Sequence, residues 1–217
     1  MTPLRWASLS RPIAGEAVCG DVVTVVPTAP PAAKGHWLAV IDGLGHGPEA
    51  AQAAQVARCC LEQAAGQPGL AGHPDLVLLA LDTALAGTRG AAIGLVWVTP
   101  DRLRHAGVGN TRALRWRAGQ TLRLPSSYGI VGDGQLSAGH GSRKVPVMVT
   151  DLDLQPDDWL LLFTDGLDES LTMGVMLPEW VREPGRLCQH LMARGQPARD
   201  DAAMLVAHVQ PDPIGSP

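Results

Sequence analysis

Only Thr99, Pro100 and Asp101 separate the apolar run AIGLVWV, which ends at Val98, from RLRHAGVG, which begins at Arg102. A crossover between parallel strands needs a dozen residues or more, so these two runs must be antiparallel neighbours. Further β-branched, apolar runs bounded by Gly, Pro or Asp read as strands in the same way: CGDVVTVV, HWLAVID, TRALRWR, VMVTDL, DWLLLFTD and AAMLVAHV. Short polar turns join several of them. The layering this favours is α+β rather than a doubly wound parallel sheet.

With 217 residues, 46% of them apolar, the chain has material for one sizeable core and is too short for two independent domains. Residues 1–210 are therefore expected to form a single domain. The tail 211–217, with its prolines and no periodicity, is expected to be disordered. A helix should open with Pro48 after Gly47 and run Ala-rich to Gly66, its stripe of Ala50, Ala53, Ala54, Ala57, Cys60, Leu61 and Ala64 lying close on a sheet. A second, from about Pro74 to Ala86, would carry Leu76, Leu79, Ala80 and Thr83 on one face, and a third would span Gly185 to Arg194. The Gly/Ser-rich stretch from Ser126 to Val145 reads as a long functional loop.

A formal net charge of -4 and scattered Lys and Arg residues give none of the basic footprint that a nucleic-acid partner requires. Cys19, Cys59, Cys60 and Cys188 have no C-x-x-C spacing and read as small hydrophobes in a reducing compartment, hence a cytoplasmic address. Neither a signal peptide nor a membrane span is expected.

The chemistry points to acidic positions. In WLAVIDGLGHGPEAAQAA an apolar strand delivers Asp42 at its end, glycines follow, and a helix opens at once, so the Gly43 carbonyl can turn toward whatever Asp42 binds. DWLLLFTDGLDES ends the same way in Asp165 and Gly166. Asp200 and Asp201 stand at the entrance of AAMLVAHV, and Asp21 at the start of DVVTVV. Asp-Gly after a strand is also an ordinary turn signal, and any one of these sites alone would read so. Four together are harder to explain as turns. Carboxylates at the ends of several buried strands repel one another and resist desolvation, and hard divalent cations with oxygen-only ligation, Mg²⁺ or Mn²⁺, relieve both. Two such ions about 4 Å apart can activate a bridging water and stabilise phosphoryl transfer.

At these residues the sequence resembles the metal-dependent (type 2C-like) protein phosphatase family, and within it the short bacterial branch of the stage II sporulation and stressosome phosphatases. The resemblance runs through Gly20-Asp21, DGLGHG at Asp42 to Gly47, RGAA at Arg89 to Ala92, GVGN at Gly107 to Asn110, TDGL at Thr164 to Leu167, and Asp200-Asp201. It implies a four-layer α-β-β-α sandwich of two antiparallel sheets flanked by helices, with a site for two Mn²⁺ or Mg²⁺ ions at one end. By position, Asp42 would bridge both metals, the Gly43 carbonyl would bind one of them, Asp21 would complete the ligand set of the second metal, and Asp165 that of the first together with either Asp200 or Asp201. The implied substrate is a phosphoserine or phosphothreonine on a cytosolic regulator with the anti-sigma-antagonist fold, such as a stressosome scaffold protein, and neither nucleic acid nor membrane is an expected partner.

The chain departs from the family in three places. Only Arg5 or Arg11 could stand in for the N-terminal arginine with which animal relatives hold phosphate. Ala202 and Ala203 follow the terminal acids where a Thr or Ser is usual. The lid-like segment of larger relatives shrinks to the stretch after Ser126. His46 could protonate the leaving oxygen as a catalytic residue, or merely orient the Gly-rich turn. Asn110 reads as a turn residue. Two rivals remain: a D-x-D nucleophile at Asp151 and Asp153, read as a decoy turn, and a catalytically silent binding module in partner-switching signalling.

Overall fold

The computed structural model describes residues 4–28, 30, 33–137, 144–168, 183–194 and 200–210. In chain order its elements are β1 (Leu4–Arg11), β2 (Asp21–Pro27), β3 (His36–Gly43), α1 (Pro48–Ala64), α2 (Pro74–Ala84), β4 (Ala91–Val98), β5 (Arg102–Val108), β6 (Arg112–Arg117) and β7 (Gln120–Leu124). These are followed by β8 (Leu136–Ser137), β9 (Val145–Pro146), β10 (Thr150–Asp153), β11 (Trp159–Phe163), α3 (Pro184–Arg194) and β12 (Ala202–Val209).

Every residue of β4, β11 and β12 is buried, so each must be covered on both faces. Two antiparallel five-stranded sheets do this, in the orders β1-β12-β11-β6-β7 and β10-β5-β4-β3-β2. They pack face to face, α1 and α2 cover the outer face of the second, and α3 covers the outer face of the first. The layers are α-β-β-α. β4 and β5 are antiparallel with Val98 opposite Leu103, and the Thr99 N–H closes their turn on the Arg102 carbonyl at 2.9 Å. β8 and β9 form a small separate parallel pair.

Side-chain alternation along the strands decides where the acids go. In β3, Trp37, Ala39 and Ile41 join the core under α1 and α2, whereas Leu38 and Val40 face the other sheet. With period two, Asp42 continues the Leu38–Val40 row into the space between the sheets. Val23 and Val25 face the same space, and Asp21 continues their row. Leu160 and Leu162 lead to Thr164, and Ala203 and Leu205 lead back to Asp201. Four rows thus carry polar residues to one end of an otherwise apolar inter-sheet core.

Some expectations change. The inward face of α2 is Val77, Leu78 and Leu81; Leu76, Leu79 and Ala80 are only partly covered and Thr83 is exposed. β1 was not anticipated. It is an edge strand in which no residue is fully buried, Trp6 being 49% exposed, so it carries little apolar pattern. The tail 211–217 lies outside the described residues. All four cysteines are free thiols. Among the described residues no helix is long and apolar enough to cross a membrane.

Candidate metal centre

Asp21 and Asp42 are direct cross-strand partners on β2 and β3, at the end where Gly43 donates its N–H to the Gly20 carbonyl at 3.3 Å. Behind Gly43 runs the first turn of α1: a Cβ at this position would lie 2.1 Å from the Ala50 carbonyl oxygen, so only glycine lets helix and strand meet here. Asp21 is 4% exposed, and its Oδ2 is buried with no hydrogen-bond partner. Burial pushes its carboxyl up to about 7, the Thr164 hydroxyl opposes this by hydrogen bonding, and the charges of Asp201, Asp200 and Asp165 add to the rise. Asp42 is pushed up to about 8 by burial first and then by Asp21, Asp165, Asp200 and Asp201. The sequence-predicted acids therefore all lie within electrostatic reach of one another.

The adjacent pair divides its work. Asp201 is 1% exposed, its Oδ1 accepts the Ile13 N–H and its Oδ2 the Gly20 N–H, each at 2.8 Å. Both oxygens are engaged with backbone. Asp200 is exposed, with one oxygen accepting the Asp201 N–H at 2.9 Å, and it faces Asp165 and His46. Asp165, exposed at the end of β11, accepts a hydrogen bond at 2.6 Å from Asn110 Nδ2. Gly166 follows it so closely against β12 that a Cβ would sit 1.8 Å from the Asp201 carbonyl oxygen. Gly166→Ala is accordingly expected to force the two strand ends apart and to lower the melting temperature by about 5 °C or more, as read by circular dichroism.

Among the described residues no three His, Cys, Asp or Glu side chains converge tightly enough to hold an ion by themselves. Hard cations do not demand that. Mg²⁺ keeps several waters and takes one or two carboxylates, and a backbone carbonyl serves as a further oxygen donor. An orphaned, buried Asp21 oxygen beside a partner carboxylate whose ionisation is suppressed is a donor set short of positive charge, and it fits an oxygen-liganded divalent ion.

Of the other sequence candidates, Asp151 and Arg5 fall elsewhere, whereas Arg11 stands at the end of β1 next to Asp201. Asp151 is bound to Arg102 at 3.0 Å and lies 3.6 Å from Arg104, on the edge strand β10 at the far side of the sheet from β2. Arg5 pairs with Glu183 at 3.0 Å. Arg11 lies opposite Ala202, with Nε and Nη2 buried and unpartnered. Where the usual Thr or Ser is missing, the Ala203 N–H bonds the Thr164 hydroxyl at 2.9 Å, so support comes from β11. Sequence reasoning passed over Thr164 and underrated Asn110; a polar residue just past a strand end, as in GVGN, was the available signal. Leu44, Asn110, Arg112, Tyr128 and Ile130 line a cavity of about 600 Å³ beside the Asp42 turn, wide enough for a peptide side chain. A more enclosed cavity of about 190 Å³ lies at the opposite end of the sandwich, among Leu4, His36, Val98 and Val209, and carries no acidic group.

The family described as stage II sporulation protein E (SpoIIE) matches residues 33–210. Among solved structures, one from a study of the bacterial stressosome as a modular system adapted to control secondary messenger signalling has a TM-score of 0.79 at 25% identity, over 95% of this chain and 100% of that one. RsbX in complex with magnesium has a TM-score of 0.71 at 16% identity, over 95% and 96%. The catalytic domain of the serine/threonine protein phosphatase PstP with two manganese ions has 0.67 at 20% identity, over 96% and 99%. No curated protein matches the chain by sequence.

Proposed function

The chain belongs to the stage II sporulation protein E family and has the fold of protein-serine/threonine phosphatases, and from that premise we propose that it removes phosphate from phosphoserine or phosphothreonine on a bacterial stress-signalling regulator, using two Mn²⁺ or Mg²⁺ ions. The observation that carries this reading is that Asp21, Asp42, Asp165 and Asp200 lie within electrostatic reach of one another at the ends of strands from both sheets, with a buried Asp21 oxygen left unpartnered. Asp42 and the Gly43 carbonyl would hold the cations together with Asp21 on one side and Asp165 and Asp200 on the other. Asp200 is preferred to Asp201 because both oxygens of Asp201 already accept backbone N–H groups. When bound, such ions supply Lewis acidity to phosphoryl oxygens and make water nucleophilic at neutral pH.

This chain's own side chains do the rest. Asn110 holds one Asp165 oxygen and so orients the other. Asp201 fixes the β1–β2 connection from which Asp21 projects. The cavity between Leu44, Asn110 and Tyr128 would receive residues flanking the phosphorylated side chain. His46 would donate a proton to the departing oxygen. The substrate is proposed to be a cytoplasmic regulator of anti-sigma-antagonist fold, in keeping with the stressosome context of a similar structure. Incubation of such a phosphorylated scaffold protein with the enzyme and Mn²⁺, followed by intact mass, should show loss of the phosphoryl group. An unchanged mass beside active p-nitrophenyl phosphate hydrolysis would reject the substrate; no hydrolysis of either with any divalent ion would favour a silent binding module.

A further inference from the structure

His46 lies four residues beyond Asp42, in the turn that leads into α1, with its Nδ1 2.8 Å from Glu16 Oε1. Glu16 belongs to the β1–β2 connection, and that connection is clamped at both ends by one buried carboxylate: Ile13 N–H and Gly20 N–H both donate to Asp201. Within the clamp, the Glu16 N–H closes a turn on the Ile13 carbonyl at 3.1 Å. The contact that sets Asp21 at its strand start therefore also sets Glu16. His46 also lies within electrostatic reach of Asp200. The remaining charges at this turn, Arg89 and Glu49, are paired with each other. The ring is 58% exposed, as a group that must reach a protein substrate has to be.

We propose that Glu16 is a positioning residue that holds Nδ1 of His46 and thereby turns Nε2, carrying the transferable proton, toward the leaving seryl or threonyl oxygen. The inference rests on the phosphatase reading above. In the step, the water oxygen forms a bond to phosphorus while the bond from phosphorus to the side-chain oxygen breaks, its electron pair staying on that oxygen. The oxygen takes the proton from His46 Nε2, the attacking water loses a proton to solvent, and the ring regains one from solvent. The products are the free hydroxyl side chain and orthophosphate. A carboxylate on Nδ1 fixes the ring orientation and leaves Nε2 as the nitrogen available to the leaving oxygen.

Leaving-group dependence separates this role from a structural one. A seryl oxygen departs poorly without a proton, whereas p-nitrophenolate departs readily as the anion. His46→Gln is expected to lower kcat on a phosphoseryl peptide by roughly 10²-fold, and by at least about tenfold more than on p-nitrophenyl phosphate. Glu16→Gln should show the same selectivity with a loss of roughly tenfold. Independently of activity, ¹⁵N shifts of the metal-free protein should show His46 protonated at Nδ1, and Glu16→Ala should return the neutral ring to the Nε2–H form. Equal losses on both substrates, or a tautomer indifferent to Glu16, would overturn the inference and leave the phosphatase reading standing. Wild-type protein that hydrolyses neither substrate with Mn²⁺ would sink both.

Discussion

Asp42→Ala is expected to abolish metal-dependent hydrolysis, with kcat/KM on p-nitrophenyl phosphate falling by roughly 10³-fold or more. The size follows from position. Asp42 ends the inward-facing row of β3, opposite Asp21, and its carboxyl responds to four other acids, so it stands amid the charge that a cation pair would neutralise. In the proposed site its loss would remove a shared ligand rather than a peripheral contact. Calorimetric titration with Mn²⁺ checks the cause: the variant should lose measurable binding while its far-UV circular dichroism stays native. Retained activity and Mn²⁺ affinity would disprove the proposed bridging role.

The cation-free protein should become less stable as pH rises from 6.5 to 8, and Mn²⁺ should reverse that trend. A carboxyl whose folded pKa lies above its unfolded value of 3.8 binds its proton more tightly in the folded state, so stability present at low pH is lost as pH climbs toward the folded value. For Asp21 near 7 and Asp42 near 8, the loss across this window is roughly 2 kcal/mol, or about 4–8 °C in melting temperature. His105 works in the opposite sense. Buried with neither ring nitrogen partnered, it is lowered to about 4, and its contribution is lost only as pH falls below 6.5. Above 6.5 the carboxylates therefore act alone. Calorimetric melting between these pH values, with and without Mn²⁺, measures the slope; Asp42→Asn should flatten it, and an equal slope in wild type and variant would refute the assignment.

Much of this centre could be read from residue order. WLAVID and WLLLFTD each carry an apolar row to an acid followed by glycine, and two-residue periodicity is enough to say that Leu38, Val40 and Asp42 share a face. The three-residue link at 99–101 is by itself too short for a parallel crossover. Long Ala-rich periodicity located α1 nearly to its ends. The weaker signals failed where burial is partial. β1 is an exposed edge with Ser8 and Ser10 on its open side, and α2 carries leucines round most of its circumference, so hydrophobicity could not choose between Leu76 and Leu78.

Residue order alone yields the set of acids and the strand ends that carry them, because alternation and turn chemistry are local and act within a few residues. How neighbouring acids differ, and which groups attend them, emerges only from the packed fold. Asp200 and Asp201 are indistinguishable as letters, yet Asp201 is spent on the N–H groups of Ile13 and Gly20, about 180 residues away, while Asp200 is left facing the cluster. Asn110 reaches Asp165 across 55 residues, and Glu16 reaches His46 across 30. Hydrogen bonds between distant segments follow from how sheets stack, and no periodicity in the chain encodes them.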